Sequence, residues 1–242
     1  MISTPALGFG VVAAFANLMG AWAVTRSARL GLRVIELLFA YAAGFMIALA
    51  LVGVVPEALA KDPLAAAPVI LIGYLLVHLT QHTVTPHFHF GQETHHVSHA
   101  ASVSGIVGLL LHTFFDGVAI ASGFLVSPKL GLLFFFAIFL HKLPEGVTVS
   151  SLVLAAGETP RRAVLAAAAL GAATILGVLL TERTTVLVQH GLALSAGVTL
   201  YVGASNLVPE FQGKHGWRLP LAFFAGAGSF VGAEALLNRL LA

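Results

Sequence analysis

The chain has 242 residues, of which 58% are hydrophobic and 9% charged, and its formal net charge is +2. A soluble domain carries about 25% charged residues, so this set cannot cover a water-facing surface. A soluble enzyme, a disordered chain and a coiled coil are excluded, and the bilayer is the solvent for most of the surface. There is no cysteine, which removes disulfides, thiolate metal sites and thiol catalysis. Eleven histidines outnumber the ten acidic residues, although histidine is costly within a span unless it binds something.

No stretch alternates with the strand period, so the fold is an all-α membrane protein and not a barrel. Charges, prolines and glycines divide the chain into eight apolar spans near residues 5–25, 34–58, 65–85, 101–126, 129–156, 161–181, 186–209 and 218–241. The first has no Lys or Arg before it and no small-residue cleavage site after it. It reads as a retained span. Residues 1–242 are thereby taken up as a single transmembrane domain. An even count puts both termini on one side. One set of loops holds Arg26, Arg29, Arg33, Arg161, Arg162, Lys214 and Arg218, and the other holds Lys61, Lys129, Arg183 and Arg239. Basic loops face the cytoplasm, which places both termini outside. Glu36, near Arg33, and Glu234, near Arg239, read as local charge partners or packing features.

The longest polar loop, residues 86–100, follows the third span and falls on the cytoplasmic side. It carries His87, His89, Glu93, His95, His96 and His99 and no Lys or Arg. His78 and His82 precede it. Clustered histidine with a nearby carboxylate is a metal-binding composition, the plain alternative being a solvated polar loop.

Two motifs occur twice. The fourth span has His112-Thr113-Phe114-Phe115-Asp116-Gly117 and the fifth His141-Lys142-Leu143-Pro144-Glu145-Gly146. The second span runs from Gly44 to Val55-Pro56-Glu57 and the seventh from Gly197 to Val208-Pro209-Glu210, with the glycine 13 positions before the glutamate in both. Spans two and seven run oppositely, as do four and five. Matched motifs on oppositely directed spans indicate an inverted repeat, an architecture of secondary transporters.

His112 and Asp116, and likewise His141 and Glu145, are four residues apart and so share a helix face. Two such faces turned together offer two imidazoles and two carboxylates, which can close a tetrahedron around a zinc-like ion. Pro144 has no N–H for the Leu140 carbonyl, which is tolerable beside a cavity or an ion. Gly117 and Gly146 admit close helix neighbours just past each acid. Imidazole and carboxylate release metal more readily than thiolate, and metal entry displaces protons.

These paired segments resemble the signature helices of the ZIP family, the ZRT/IRT-like metal transporters. The resemblance implies a 3+2+3 arrangement with external termini, and inward movement of a divalent metal, zinc first, down its gradient into the cytoplasm. Cadmium, manganese and iron suit the same ligands. It implies His112, Asp116, His141 and Glu145 as the transport site, Met46 as a pathway-lining neighbour, and Ser205, Asn206 and Glu210 along the route to the cytoplasm. Glu57 would lie near the outer mouth. A homodimer is suggested by the resemblance alone. Many members hold a second ion, with an Asn or acid where this chain has Thr113 and an acid where it has Lys142. They also use an acid in the sixth span, absent here between Ala163 and Thr181, and the seventh-span position is Asn206. A single-metal site follows, with the Lys142 ammonium in place of the second ion, holding Asp116 and Glu145 ionised when metal is absent. The metal is substrate, with no fixed cofactor, and neither an ATP motif nor a nucleic-acid surface is present. The membrane is a cell membrane, a bacterial inner or a plasma membrane. The rival readings are an intramembrane metal hydrolase and a metal sensor.

Overall fold

Apolar runs closed by capping residues and prolines wind into eight helical spans among the described residues of this computed structural model, which are 4–26, 32–80 and 99–240. α1 is Thr4–Thr25. α2 is Leu32–Ala48, continued by a π-helical segment Leu49–Val54 and a last stretch Val55–Lys61. α3 is Ala66–Leu79, α4 His99–Val126, α5 Pro128–Ala155 and α6 Pro160–Thr181. α7 is Thr185–Tyr201, continued by a second π segment Val202–Leu207 and a 3-10 turn Val208–Glu210, and α8 is Arg218–Leu240. Seven are long and apolar enough to cross a membrane, and α3 is a shorter apolar helix. The remainder of the expected third span, 81–85, lies outside the described residues.

The joints are short because caps do the work. Ser127 alone separates α4 from α5: its Oγ accepts the Leu130 N–H at 3.2 Å, and Pro128 fills the first turn, where no donor is needed. Thr159 caps α6 by accepting the Arg162 N–H at 3.4 Å, again before a proline. Asp62 accepts the Ala65 N–H at 3.0 Å between α2 and α3.

The two π segments have a common cause in the sequence. Pro56 and Pro209 each follow one, and a proline ring collides with the carbonyl four residues back in a regular helix. The wider turn relieves this, with the Val55 N–H bonded to Ala50 O and the Val208 N–H to Gly203 O.

Helix contacts repeat with inverted order. α1 packs on α5 as α6 packs on α4, and α2 packs on α8 as α7 packs on α3. Each of these four contacts is a crossing of backbones at glycine. A β-carbon at Gly146 would strike the Asn17 carbonyl, one at Gly117 that of Thr174, one at Gly44 that of Phe223 and one at Gly197 that of Ile70. Gly44 and Gly197 are 153 residues apart, as are Gly73 and Gly226 and the first residues of the two π segments. The α1 crossing recurs on α6 at a spacing of 157, from Asn17 to Thr174 and from Gly20 to Gly177. Contacts between α1 and α6 run in opposite senses, Gly10 on Val178 and Ala14 on Gly171. Those between α3 and α7 ascend together, Ile70 on Gly197 and Tyr74 on Tyr201 and Ser205. The described residues therefore form two inverted three-helix units around the α4–α5 pair.

Two lysines, also 153 residues apart, strap α2 to α7 at opposite ends. Lys214, past the end of α7, donates to Glu36 at the start of α2 at 2.8 Å, and Lys61, at the end of α2, donates to Val188 O at the start of α7 at 3.2 Å. The local pairing read from the sequence is corrected here. Glu36 pairs with Lys214, and Glu234 with Lys129 at 3.5 Å, because helix packing brings a distant lysine to each.

Candidate metal centre

The α4–α5 pair brings the two signature faces together at the middle of the bundle. His112, Asp116, His141 and Glu145 are all buried, and one ligand atom from each lies within 4.8 Å of every other. Their positions follow from the four-residue spacing on each helix and from the glycine after each acid. Gly117 lets α6 press on α4, and Gly146 lets α1 press on α5.

The polar atoms converge in a way that calls for a cation. His141 Nδ1 lies 2.9 Å from the Ala137 carbonyl, which can only accept, so this nitrogen carries the proton. Nε2 then presents a lone pair to Asp116 Oδ2 at 3.4 Å. His112 Nε2 lies 3.5 Å from the same oxygen, and the two imidazole rings are 5.5 Å apart. His112 Nδ1 and Glu145 Oε1 have no hydrogen-bond partner among the described residues. Lone-pair atoms gathered out of water repel one another unless a positive charge joins them. A backbone carbonyl fixing the far nitrogen is how proteins orient a metal-ligating histidine.

One positive charge is built in. Lys142 is fully buried, and its Nζ sits 2.6 Å from Asp116 Oδ2 and 2.7 Å from Glu145 Oε2. It bridges the two carboxylates across the helix pair instead of reaching for an interface. With neutral imidazoles, the cluster carries one net negative charge.

The other residues singled out by the sequence divide around this cluster. Met46 is buried on α2, against Gly203 in the π segment of α7. The Thr113 hydroxyl donates to Leu109 O at 2.8 Å and is within 3.0 Å of Leu110 O, so it is committed to its own helix. Ser205 shares a 3.1 Å hydrogen bond with Tyr74. Asn206 is buried in the second π segment, with its Nδ2 unpartnered. Glu57, within Val55–Lys61, and Glu210, the last residue of the 3-10 turn, each follow a proline outside the cluster, Glu57 exposed and Glu210 half-buried. His82, His87, His89, Glu93, His95 and His96 lie outside the described residues, and His99 opens α4 with only its backbone described. Buried polar groups that sequence reasoning passed over include Asn17, Ser122, Ser150, Ser195 and Thr199. The 153-residue spacing is the signal that finds Thr199, the counterpart of Met46.

An inverted-repeat membrane bundle with a buried cluster of two imidazoles and two carboxylates at its centre is the class these features define. The family description of the ZIP zinc transporters matches residues 77–234. The chain belongs to the ZIP zinc transporter family, a family of transporters and not of enzymes. It is 33% identical over 132 residues to zinc transporter ZIP13 of Pongo abelii, covering 49% of this chain and 39% of that protein. Against human zinc transporter ZIP13 it is 31% identical over 179 residues, 65% of this chain and 45% of that one. Against human zinc transporter ZIP6 it is 33% identical over 143 residues, 54% of this chain and 19% of that one. The chain thus spans less than half the length of each of these relatives.

Proposed function

We propose that the protein carries a divalent transition metal, zinc first, through a cell membrane and into the cytoplasm by way of His112, Asp116, His141 and Glu145. The observation that carries this reading is the convergence of ligand atoms from two imidazoles and two carboxylates, all within 4.8 Å of one another, in a buried cluster where two inverted repeats meet. Both termini face outward in this reading, as the basic loops favour. The ion is taken up from the Glu57 side, stripped of water, held by the four ligands, and released past Asn206 and Glu210 toward the His-rich loop at residues 86–100. That loop, with His87, His89, His95, His96 and His99, holds metal on the cytoplasmic side. Movement is downhill, by rocking of the repeats about the α4–α5 pair.

Lys142 gives the site room for one ion. Its ammonium sits on the oxygens that a second ion would need, and its charge offsets the mutual repulsion of Asp116 and Glu145 when metal is absent. The test is zinc uptake into proteoliposomes with an internal fluorescent indicator. Wild type is expected to show flux and His112→Ala/Glu145→Ala none. Absence of flux from inserted, folded wild type across zinc, cadmium, manganese and iron sinks the reading.

A further inference from the structure

The two repeats present different walls to the metal centre. Along α7, Ser195, Thr199 and Asn206 are buried, and their counterparts 153 residues earlier on α2 are Ala42, Met46 and Gly53. One wall is polar and its mate is apolar, although the backbones match down to the π segment.

Two hydroxyls on the polar side are unsatisfied. Buried hydroxyls in helices ordinarily bond to a carbonyl one turn back, and Thr113, Thr148, Thr174 and Thr181 all do so. Three serines do not: Ser122 on α4, Ser150 on α5 and Ser195 on α7 have Oγ atoms with no partner among the described residues, and of these Ser122 and Ser195, 3% and 1% exposed, belong to the α4 and α7 helices. A hydroxyl left unbonded in a buried site is expensive, and something else must satisfy it in the working cycle. The two face one seam. A β-carbon at Gly191 would lie 2.5 Å from Ser122 Oγ and 3.4 Å from Val118 Cγ1. Since α7 runs antiparallel to α4, Ser195 lies about 6 Å further along, level with Asp116. Thr199 is then level with His112. Ser122 stands a turn and a half beyond Asp116, on the side of the cluster away from Asn206.

We propose that Ser122 and Ser195 line the approach of the hydrated divalent cation to the metal centre, their oxygens replacing water ligands as the ion sheds its shell along the α4–α7 seam. The α2 wall at Ala42 offers no oxygen to the ion. This rests on the transport reading above. An ion entering here meets hydroxyl oxygens before it meets Asp116, while Asn206 receives it on the far side. Hard oxygen ligands without charge hold a divalent ion weakly, which suits a place of passage.

The chain has no cysteine of its own, so single cysteines report access. The full chain in proteoliposomes, as Ser195→Cys, Ser122→Cys or Ala42→Cys, is treated with a charged, water-soluble methanethiosulfonate with and without zinc. Labelling at Ser195→Cys and Ser122→Cys that zinc slows, with neither labelling nor zinc protection at Ala42→Cys, is the expected result. In parallel, Ser122→Ala/Ser195→Ala is expected to cut zinc flux about tenfold, the loss of a buried hydrogen-bonding partner. Labelling absent from both serine positions, unaffected by zinc, or equal at the α2 wall overturns the proposal, as does undiminished flux in the double alanine variant. Wild-type flux in the same vesicles separates the two readings. Its absence counts against transport itself, and its presence with any of those results counts against this approach alone.

Discussion

Lys142 Nζ lies 2.6 Å from Asp116 Oδ2 and 2.7 Å from Glu145 Oε2, so one buried ammonium holds the carboxylates of both signature helices. An arriving divalent ion must share Asp116 with that charge. Two unit charges about 4 Å apart at an effective dielectric near 20 interact by about 4 kcal/mol. Replacing Lys142 with Met is therefore expected to tighten metal binding by at least about tenfold while slowing release. Isothermal titration with zinc gives the affinity and vesicle flux gives the release. Binding that weakens or stays level would show that the lysine does not oppose the ion.

Metal binding must also compete with protons. Histidine nitrogen and carboxylate oxygen ligate only when unprotonated. Zinc affinity is expected to fall as the solution is made more acidic, because protons compete with the ion for the same ligand atoms. Calorimetry in buffers of different ionisation enthalpy reads the protons released per ion. A flat affinity together with no proton released per ion would count against competition between metal and protons at this cluster.

The glycines after the acids are packing devices as much as local features. Gly117→Val and Gly146→Val would drive a side chain into the backbones of α6 and α1, and each is expected to destabilise the fold by about 1–3 kcal/mol or more. Gly228 on α8, where a β-carbon would meet nothing within 4 Å, serves as the control, and Gly228→Val is expected to leave thermal unfolding in detergent unchanged. Equal shifts at all three positions would mean that the crossings are not tight.

The Lys214–Glu36 strap is partly exposed, and exposed pairs couple weakly. A double-mutant cycle with Lys214→Ala and Glu36→Ala should give a coupling of about 0.2–1 kcal/mol in unfolding. The charge-exchanged variant Glu36→Lys/Lys214→Glu is expected to regain most of what either single reversal loses in flux. Failure of the exchange to restore flux would assign the loss to the individual side chains.

Spans were legible because lipid demands long apolar runs, and the acids of α4 and α5 stood out against them. α6, expected at 161–181, is observed as Pro160–Thr181, and α7, expected at 186–209, as Thr185–Glu210. The Gly44–Glu57 echo of Gly197–Glu210 disclosed one pair of equivalent helices. It did not disclose the glycine crossings, since which backbone a glycine meets depends on helices far away in sequence. Glu36 illustrates the same limit: a neighbour three residues away was in view, and the partner 178 residues away was not. Lys142 was legible as a charge out of place, but its two-carboxylate grip requires α4 and α5 side by side. Ser122 and Ser195 were silent because serine is common in membrane helices, and their lack of a carbonyl partner, shared with Ser150, shows only in the packed bundle.

The wide turns at Leu49–Val54 and Val202–Leu207 occupy matching places on helices that point in opposite directions. In mechanical terms the molecule owns one joint, fitted twice and upside down the second time. Each joint is followed by a proline and then a glutamate, Pro56 and Glu57 after the first and Pro209 and Glu210 after the second. Any bend that the first joint allows in α2, the second allows, inverted, in α7. The geometry of one half is thus a template for that of its twin, and both halves answer to a single set of tolerances.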